Sequence, residues 1–263
     1  QPVVVENKPG SNGVIGTDAV AKAAPDGYTI LLIDRGALGI NPSLYVSLPY
    51  DPLKSFAYIG IATEGPYVLV TPVGLGMKSV AELVALAKSK PLNYGSYGVG
   101  SMAQLNLEAF ARQAGVKMVH IPYKGAAPAV VGAVQGDVAV TIASPPAVLG
   151  HLREKRLIAL AVGSEKRLAQ LPDVPTMKEI GIATDSLIST FFALAAPAAT
   201  PQPIVERLNA ELKRAASAPD LVEKLTTIGL IPTGSSPAEM TKIVTDDVAR
   251  FSALVKSIGI TPE

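Results

Sequence analysis

The chain has 263 residues, 48% of them hydrophobic, and its 23 basic and 22 acidic residues leave a formal net charge of +1. This balance argues against a nucleic-acid or membrane-surface binder, and the lack of cysteine excludes disulfides, thiolate metal sites and a cysteine nucleophile. The length suffices for two modest domains, and no uncharged stretch of the sequence is long enough to span a bilayer.

The first part of the chain combines strand patterns with a glycine-containing loop. Val3–Val5 predicts a strand, residues 7–13 form the loop, and a short helix follows to about Ala24. Tyr28–Ile33 has the continuous apolar character of a buried strand. No signal-peptide pattern precedes Val3, so we expect that a leader has been removed or that the chain starts late.

Strands and helices alternate through the middle of the chain. Ser79 and Glu82 form a capping-box pattern ahead of a helix that stops at Pro91. The strand Leu92–Ser96 leads through a glycine loop into a helix that closes at Gly115. Further strands are predicted at 116–122, 138–143, 157–162 and 191–195, and a further helix at 126–135.

The last part of the chain is predicted to be helical. One helix begins after Thr200-Pro201, and a second begins at the capping-box pattern of Ser236 and Glu239. Alternating strands and helices earlier in the chain predict parallel-dominated sheets flanked by helices, in two α/β domains with a ligand cleft between them. We expect residues 1–92 and 193–263 to form domain 1, with the terminal helices packed back on it, and residues 93–192 to form domain 2.

The sequence supports catalysis poorly. His120 lies in an apolar strand, where a satisfied core or strand-edge histidine is the favoured interpretation, and His151 lies on a charged, solvated stretch. The serines near glycine do not form a Gly-x-Ser-x-Gly elbow, and two histidines without cysteine do not supply a zinc site. We therefore expect no catalytic residue, no metal and no cofactor.

The glycine loop after Leu92–Ser96 is better suited to binding an anion. The first N–H groups of a helix lack partners and carry partial positive charge, and glycines allow an anion to approach them. The spacing G-x-x-G-x-G at 95–100 differs from a dinucleotide fingerprint, and no Gly-Lys-Ser/Thr follows. Because the loop contains no Lys or Arg, it favours a carboxylate over a phosphate; a tight turn packed by glycines is the alternative.

The sequence resembles the Bug/TctC family of extracytoplasmic solute receptors, the binding components of tripartite tricarboxylate transport systems. The resemblance runs along the whole chain and is carried by "VVENKPGSNGVIGTDAVAKAAPDGYTILL" (4–32), "INPSLYVSLPYDPLKSF" (40–56), "MVHIPYKGAAPAVVGAVQGDV" (118–138), "LPDVPTMKEIGI" (171–182) and "APAATPQPIVERLNAEL" (196–212). It implies a type II-like periplasmic binding fold whose two domains close on a small carboxylate. Backbone amides of two loops would hold the proximal carboxylate, and residues 98–104 would be one of these loops.

The resemblance also implies a periplasmic, monomeric protein that delivers its ligand to membrane transporter subunits, without nucleic acid and without embedding in the membrane. The candidate ligand-binding residues are Arg35, Gly36, Ser96, Tyr97, Gly98, Val99, Gly100, Ser101, Gln104, Ser144, Ser189 and Thr190, with Gly10, Ser11, Asn12, Gly13, Tyr123 and Lys124 as further candidates. Two other classes stay open: the ligand-sensing domain of a regulatory system and an enzyme on a Rossmann-like scaffold.

Four features depart from the family pattern. From the resemblance, we expect the strand–loop–helix unit that normally precedes the segment matching residue 1 to be missing. Gln104 stands where a histidine is usual, and Ala143 stands where an acid can pair with a ligand ammonium, so we expect a dicarboxylate or aromatic acid rather than an amino acid. Arg35 occupies a loop that is commonly small and neutral, where it serves either a second carboxylate or a solvated or interdomain role.

Overall fold

The computed structural model describes residues 2–8, 10–182 and 189–260, and the chain divides into two compact units. Unit 1 consists of Gln1–Thr63, Phe191–Ala218 and Thr233–Glu263, and unit 2 of Glu64–Thr190 and Pro219–Pro232. Two units of mixed α/β structure confirm the predicted fold class. The division differs from the predicted one because residues 64–92 and 219–232 fall in unit 2.

Strands and helices are interspersed along the described residues as far as β8. The strands are β1 (Leu31–Asp34), β2 (Phe56–Gly65), β3 (Val68–Pro72), β4 (Leu92–Ser96), β5 (Met118–Pro122), β6 (Val140–Ala143), β7 (Leu157–Val162), β8 (Thr190–Pro197) and β9 (Ile231–Pro232). The helices are α1 (Val14–Ala21), α2 (Arg35–Gly39), α3 (Asn41–Leu44), α4 (Val80–Ser89), α5 (Met102–Ala114), α6 (Ala126–Gln135), α7 (Pro145–Arg153), α8 (Gln202–Ala216), α9 (Pro219–Thr227) and α10 (Pro237–Ile258).

Unit 1 is built on strands β1, β8 and β2, hydrogen-bonded in that order. β1 and β8 are antiparallel, with Leu31 opposite Ala195. The long helix α10 packs against α2 and α3, and its Met240 and Val244 join the core formed by the strands. The terminal helix therefore completes the core of the first unit.

Unit 2 is built on a five-stranded sheet with the order β5-β4-β6-β3-β7. β4 runs parallel to β5 and to β6, whereas β3 is antiparallel to both β6 and β7. The parallel arrangement of β4, β5 and β6 agrees with the predicted parallel-dominated sheet, whereas β3, a strand that the sequence analysis did not predict, is antiparallel to both of its neighbours. Because β3 is a fully buried inner strand, residues 64–92 belong with this sheet and not with unit 1.

Several predicted elements agree with the structure because their ends carry strong local signals. α6 and β7 have the predicted bounds, and Gly115 and Gly136 end their helices in the left-handed conformation. The capping box of Ser236 is present, with both of its hydrogen bonds to Glu239. These ends were predictable because they depend on neighbours within a few residues.

The start of the chain departs from the prediction. Val3–Val5 is not a strand, and each of its side chains is at least 81% exposed. A strand needs a hydrogen-bonded neighbour, and in the described part of the chain these residues have none. β1 begins only at Leu31 and alternates between buried and exposed residues, so the prediction of a continuously buried strand over Tyr28–Ile33 was wrong.

Candidate ligand-binding site

Three loops meet at one edge of the sheet in unit 2. β4, β5 and β6 are adjacent and parallel, so their carboxyl ends lie together. The Tyr123 N–H donates to the Ser96 carbonyl at 2.9 Å, and the Tyr97 hydroxyl donates to the Ile142 carbonyl. The glycine loop after β4, Tyr123-Lys124 after β5 and Ser144 after β6 are thereby brought together, at the position where open α/β sheets bind ligands.

Glycine is required at two positions of the loop between β4 and α5. Gly98 has φ 136° and Gly100 has φ 73°, both in the region that favours glycine. Ser101 is the N-cap of α5: its hydroxyl accepts from the Gln104 N–H and donates to the Gly98 carbonyl at 2.8 Å. The Ser101 cap therefore fixes the path of the loop into the first turn of α5.

The structure corrects the expected set of hydrogen-bond donors in this loop. The Gly100 N–H, one of the groups expected to hold a carboxylate, donates to the Gln104 side-chain oxygen at 2.6 Å. The N–H groups of Val99, Met102 and Ala103 have no acceptor among the described residues. These three N–H groups, at the positive end of a 13-residue helix, are the donors that a bound anion would find.

The surroundings of the glycine loop are nearly neutral. Residues 95–104 contain no charged side chain, and Lys124 in the neighbouring loop is exposed. β6 ends in the fully buried Ala143, followed by the half-buried Ser144, whose side chain makes no capping hydrogen bond to α7. The edge thus offers backbone and hydroxyl groups in place of ionic partners.

Four candidate residues lie at the start of unit 1 in an unusual backbone conformation. Gly10, Ser11, Asn12 and Gly13 all have positive φ, at 127°, 47°, 50° and 82°. The Asn12 side chain donates to the Asn41 side-chain oxygen at 2.7 Å, which ties the loop to α3. This hydrogen bond stabilises the turn, and a ligand-binding role for these residues stays a prediction.

Arg35 has an intramolecular partner that the sequence did not suggest. Its guanidinium donates twice to the carboxylate of Asp247 on α10, at 2.6 Å in both hydrogen bonds. The side chains are 16% and 4% exposed, so the charge of Arg35 is balanced inside unit 1. Gly36 is buried in α2 beside it. Ser189 and Thr190 precede and begin β8, and their proposed contact with ligand, like that of Arg35, stays a prediction.

Three side chains beneath the glycine loop were not among the candidates. Tyr94 is fully buried, its hydroxyl donates to Glu108, and its ring stacks on His120 with centroids 5.0 Å apart. His120 lies on the edge strand β5 and contacts the Ser96 hydroxyl, which agrees with the interpretation of a satisfied strand-edge histidine. Sequence spacing contained a signal, since Gln104 and Glu108 are one turn apart on the same face of a helix.

The described residues give no sign of a metal centre or a membrane span. Nowhere in 2–8, 10–182 and 189–260 do three histidine or carboxylate side chains cluster as a metal would need. No helix within these ranges is both long enough and apolar enough to cross a membrane.

Comparison with known proteins decides the family. The family model described as "Tripartite tricarboxylate transporter family receptor" matches residues 1–260. The chain belongs to this family. BugT of Bordetella pertussis is 38% identical over 262 residues, which cover 98% of this chain and 80% of BugT.

Solved structures of similar proteins agree with this assignment. R. palustris Rpa4515 with adipate is 33% identical, has a TM-score of 0.93 and aligns over 99% of this chain and 87% of its own. MatC from Rhodopseudomonas palustris with bound malate is 30% identical, has a TM-score of 0.87 and aligns over 97% and 88%. The resemblance to Bug/TctC receptors is therefore confirmed: the chain is a solute-binding receptor and not an enzyme.

Proposed function

We propose that this receptor captures a small carboxylate at the start of α5 and delivers it, as a periplasmic monomer, to the membrane subunits of a tripartite tricarboxylate-type transporter. The observation that carries the proposal is the set of N–H groups of Val99, Met102 and Ala103, which have no acceptor in the described residues. Similar receptors of R. palustris were solved with adipate and with malate, which supports a carboxylate as the ligand class.

The neutral surroundings of the loop favour a carboxylate over a phosphate. Phosphate sites usually add Lys or Arg to the helix N-terminus, whereas residues 95–104 contain neither. The residues at the end of β6 indicate what the distal part of the ligand carries. Because Ala143 and Ser144 stand there in place of an acid, a ligand ammonium would find no charge partner from this strand, which favours a dicarboxylate or an aromatic acid over an amino acid.

The first experiment is a thermal-shift screen of this chain with succinate, adipate, citrate, terephthalate, nicotinate and glutamate. A ligand at about 100 times its Kd stabilises by about 2.7 kcal/mol, and each kcal/mol raises the midpoint by roughly 2–4 °C at this size. We expect a shift of about 5–11 °C with a dicarboxylate or an aromatic acid and none with glutamate. A shift with glutamate alone would contradict the argument from Ala143.

A matched pair of variants tests the backbone donors directly. Met102 is the first residue of α5, a position that accepts proline, so Met102→Pro removes one N–H without breaking the helix. Met102→Ala shortens the same buried side chain and retains the N–H. A hydrogen bond to a charged group contributes about 1.5–3 kcal/mol, so Met102→Pro should weaken binding roughly 10- to 150-fold relative to Met102→Ala.

Isothermal titration calorimetry of both variants measures this difference. Equal Kd values for Met102→Pro and Met102→Ala would contradict the proposed cradle. Gly100→Pro is a poorer test, because proline cannot adopt φ 73° and because the Gly100 N–H is already bonded to Gln104. Delivery to a transporter is tested separately, by comparing uptake of the bound acid in cells with and without this receptor.

A further inference from the structure

Each of the two glycines with positive φ in this loop is hydrogen-bonded by a buried side chain. The Gly98 carbonyl accepts from the Ser96 hydroxyl at 2.9 Å, and the Gly100 N–H donates to Gln104 Oε1 at 2.6 Å. Ser96 is fully buried and Gln104 is 8% exposed. The conformation of the loop is thus tied to the groups that orient these two side chains.

A first relay of hydrogen bonds orients Gln104. The Tyr94 hydroxyl donates its single proton to Glu108, which leaves its oxygen as an acceptor. Gln104 Oε1 accepts from the Gly100 N–H, so the side-chain N–H of Gln104 is the group left to donate to Tyr94, and the interaction of Gln104 with this hydroxyl lowers the pKa of Tyr94 against the effect of burial. An amide that donates to Tyr94 through its nitrogen turns its oxygen towards the Gly100 N–H. Burial, followed by Glu108, raises the pKa of Tyr94 above its usual value, which keeps this hydroxyl a donor.

A second relay orients Ser96. His120 Nε2 lies 2.5 Å from the Ser96 hydroxyl, which already donates its proton to the Gly98 carbonyl. With Ser96 donating to Gly98, the neutral tautomer of His120 that carries its proton on Nε2 satisfies both contacts, because Ser96 then accepts from this N–H. The stacked rings of Tyr94 and His120 join the two relays into one unit.

We propose that Tyr94, Glu108 and His120 are positioning residues, which hold the glycine loop in its carboxylate-binding conformation before a ligand arrives. They act through Gln104 and Ser96 and are distinct from the N–H donors themselves. A loop that is already ordered loses less conformational freedom on binding, so the relays raise affinity by preorganisation. The proposal rests on the proposed function for its affinity readout, whereas its structural readout needs no ligand.

Tyr94→Phe tests the first relay, with Tyr58→Phe as a matched control. Both tyrosines are buried and both lose one hydroxyl donor, which in Tyr58 bonds the Pro52 carbonyl in unit 1 at 2.6 Å. We expect amide exchange of Gly100, measured by NMR on the unliganded protein, to be about 3- to 10-fold faster in Tyr94→Phe and unchanged in Tyr58→Phe. Affinity for the acids of the thermal-shift panel should fall by the same factor in Tyr94→Phe alone.

Three further variants test the other two members, Glu108 and His120. Glu108→Gln keeps an acceptor for the Tyr94 hydroxyl and should retain more affinity than Glu108→Ala. His120→Phe retains a stacked ring but removes the donor to Ser96. The NMR resonance of the Gly98 amide should therefore shift in His120→Phe, and it should not shift in the control Tyr58→Phe.

The results of these experiments test the relay, its role in ligand binding and the proposed function separately. A Gly100 exchange rate that is equal in Tyr94→Phe and Tyr58→Phe overturns the relay, whatever the ligand result. Faster exchange with unchanged affinity overturns its role in binding. If the wild-type chain binds none of the six acids, the proposed function fails for this panel, and the exchange rates still decide whether Tyr94 positions the loop.

Discussion

Arg35 and Asp247 form a buried ion pair inside unit 1, and Asp247→Ala removes the carboxylate from it. The guanidinium also lies 5.6 Å from the ring centre of Phe191 and 6.0 Å from that of Phe251, so it would stay in an apolar environment without its partner. Breaking a buried pair from one side costs about 3–5 kcal/mol. Since Arg35 is 16% exposed and water can reach part of it, we expect the lower end, about 3 kcal/mol.

The measurement is urea unfolding followed by circular dichroism, together with calorimetry, where about 3 kcal/mol corresponds to a midpoint lower by roughly 6–12 °C. Asp246→Ala is the matched control, because Asp246 is the neighbouring residue on α10 and its partner Lys242 is 77% exposed. An exposed i,i+4 pair contributes only about 0.3–0.5 kcal/mol.

A double variant separates the free-energy cost of losing the ion pair from the cost of leaving an unpaired charge buried. Arg35→Met with Asp247→Leu removes both charges and should lie close to the wild type or above it, since a buried pair often contributes little against apolar residues of similar size. The reasoning is refuted if Asp247→Ala destabilises no more than Asp246→Ala, or if the double variant is less stable than Asp247→Ala alone.

Two further predictions concern pH and helix capping. Burial lowers the pKa of His120 below 6.5, against the opposing effect of the Glu108 charge. Between the folded-state pKa and pH 6.5 the unfolded chain therefore binds more protons than the folded one, so the free energy of unfolding should fall as the pH drops through this range. Above pH 6.5 stability should not depend on this group. Urea unfolding at pH 5–8 should therefore show a weaker acid loss in His120→Phe, and parallel curves would contradict this. Ser236→Ala removes the N-cap of α10 and should cost about 1 kcal/mol, lowering the calorimetric midpoint by roughly 2–4 °C; an unchanged midpoint would contradict the role of the cap.

Local sequence signals predicted much of the fold because they act within one or two turns. Gly136 and the Ser236 capping box fix helix ends through their own backbone and neighbours. The direction of β3 was not predictable in this way, because it depends on pairing with β6 and β7, which lie about 70 and 90 residues later in the chain. The same limit explains Val3–Val5, whose β-branched residues favour a strand but have no neighbour in the described chain.

The location of the candidate site was predictable from the sequence, but the N–H groups available as hydrogen-bond donors were less so. Glycines between a strand and a helix located the loop, and the parallel order of β4, β5 and β6 gathered the neighbouring loops. The use of the Gly100 N–H by Gln104 could not be read from the sequence, because it depends on how Tyr94 and Glu108 orient that side chain. Short-range sequence patterns locate the loop, whereas long-range side-chain contacts decide which of its N–H groups remain available to a ligand.

The discontinuous path of the chain has a consequence for the order in which the two units are completed during synthesis. Unit 1 contains the beginning of the chain, yet its core needs Met240 and Val244 of α10, so it cannot close until these residues have left the ribosome. Unit 2 possesses all of its segments once Pro232 has emerged. The unit that contains residues 1–63 is therefore completed after unit 2, and a chain interrupted between 232 and 240 would have all segments of unit 2 but an incomplete core in unit 1.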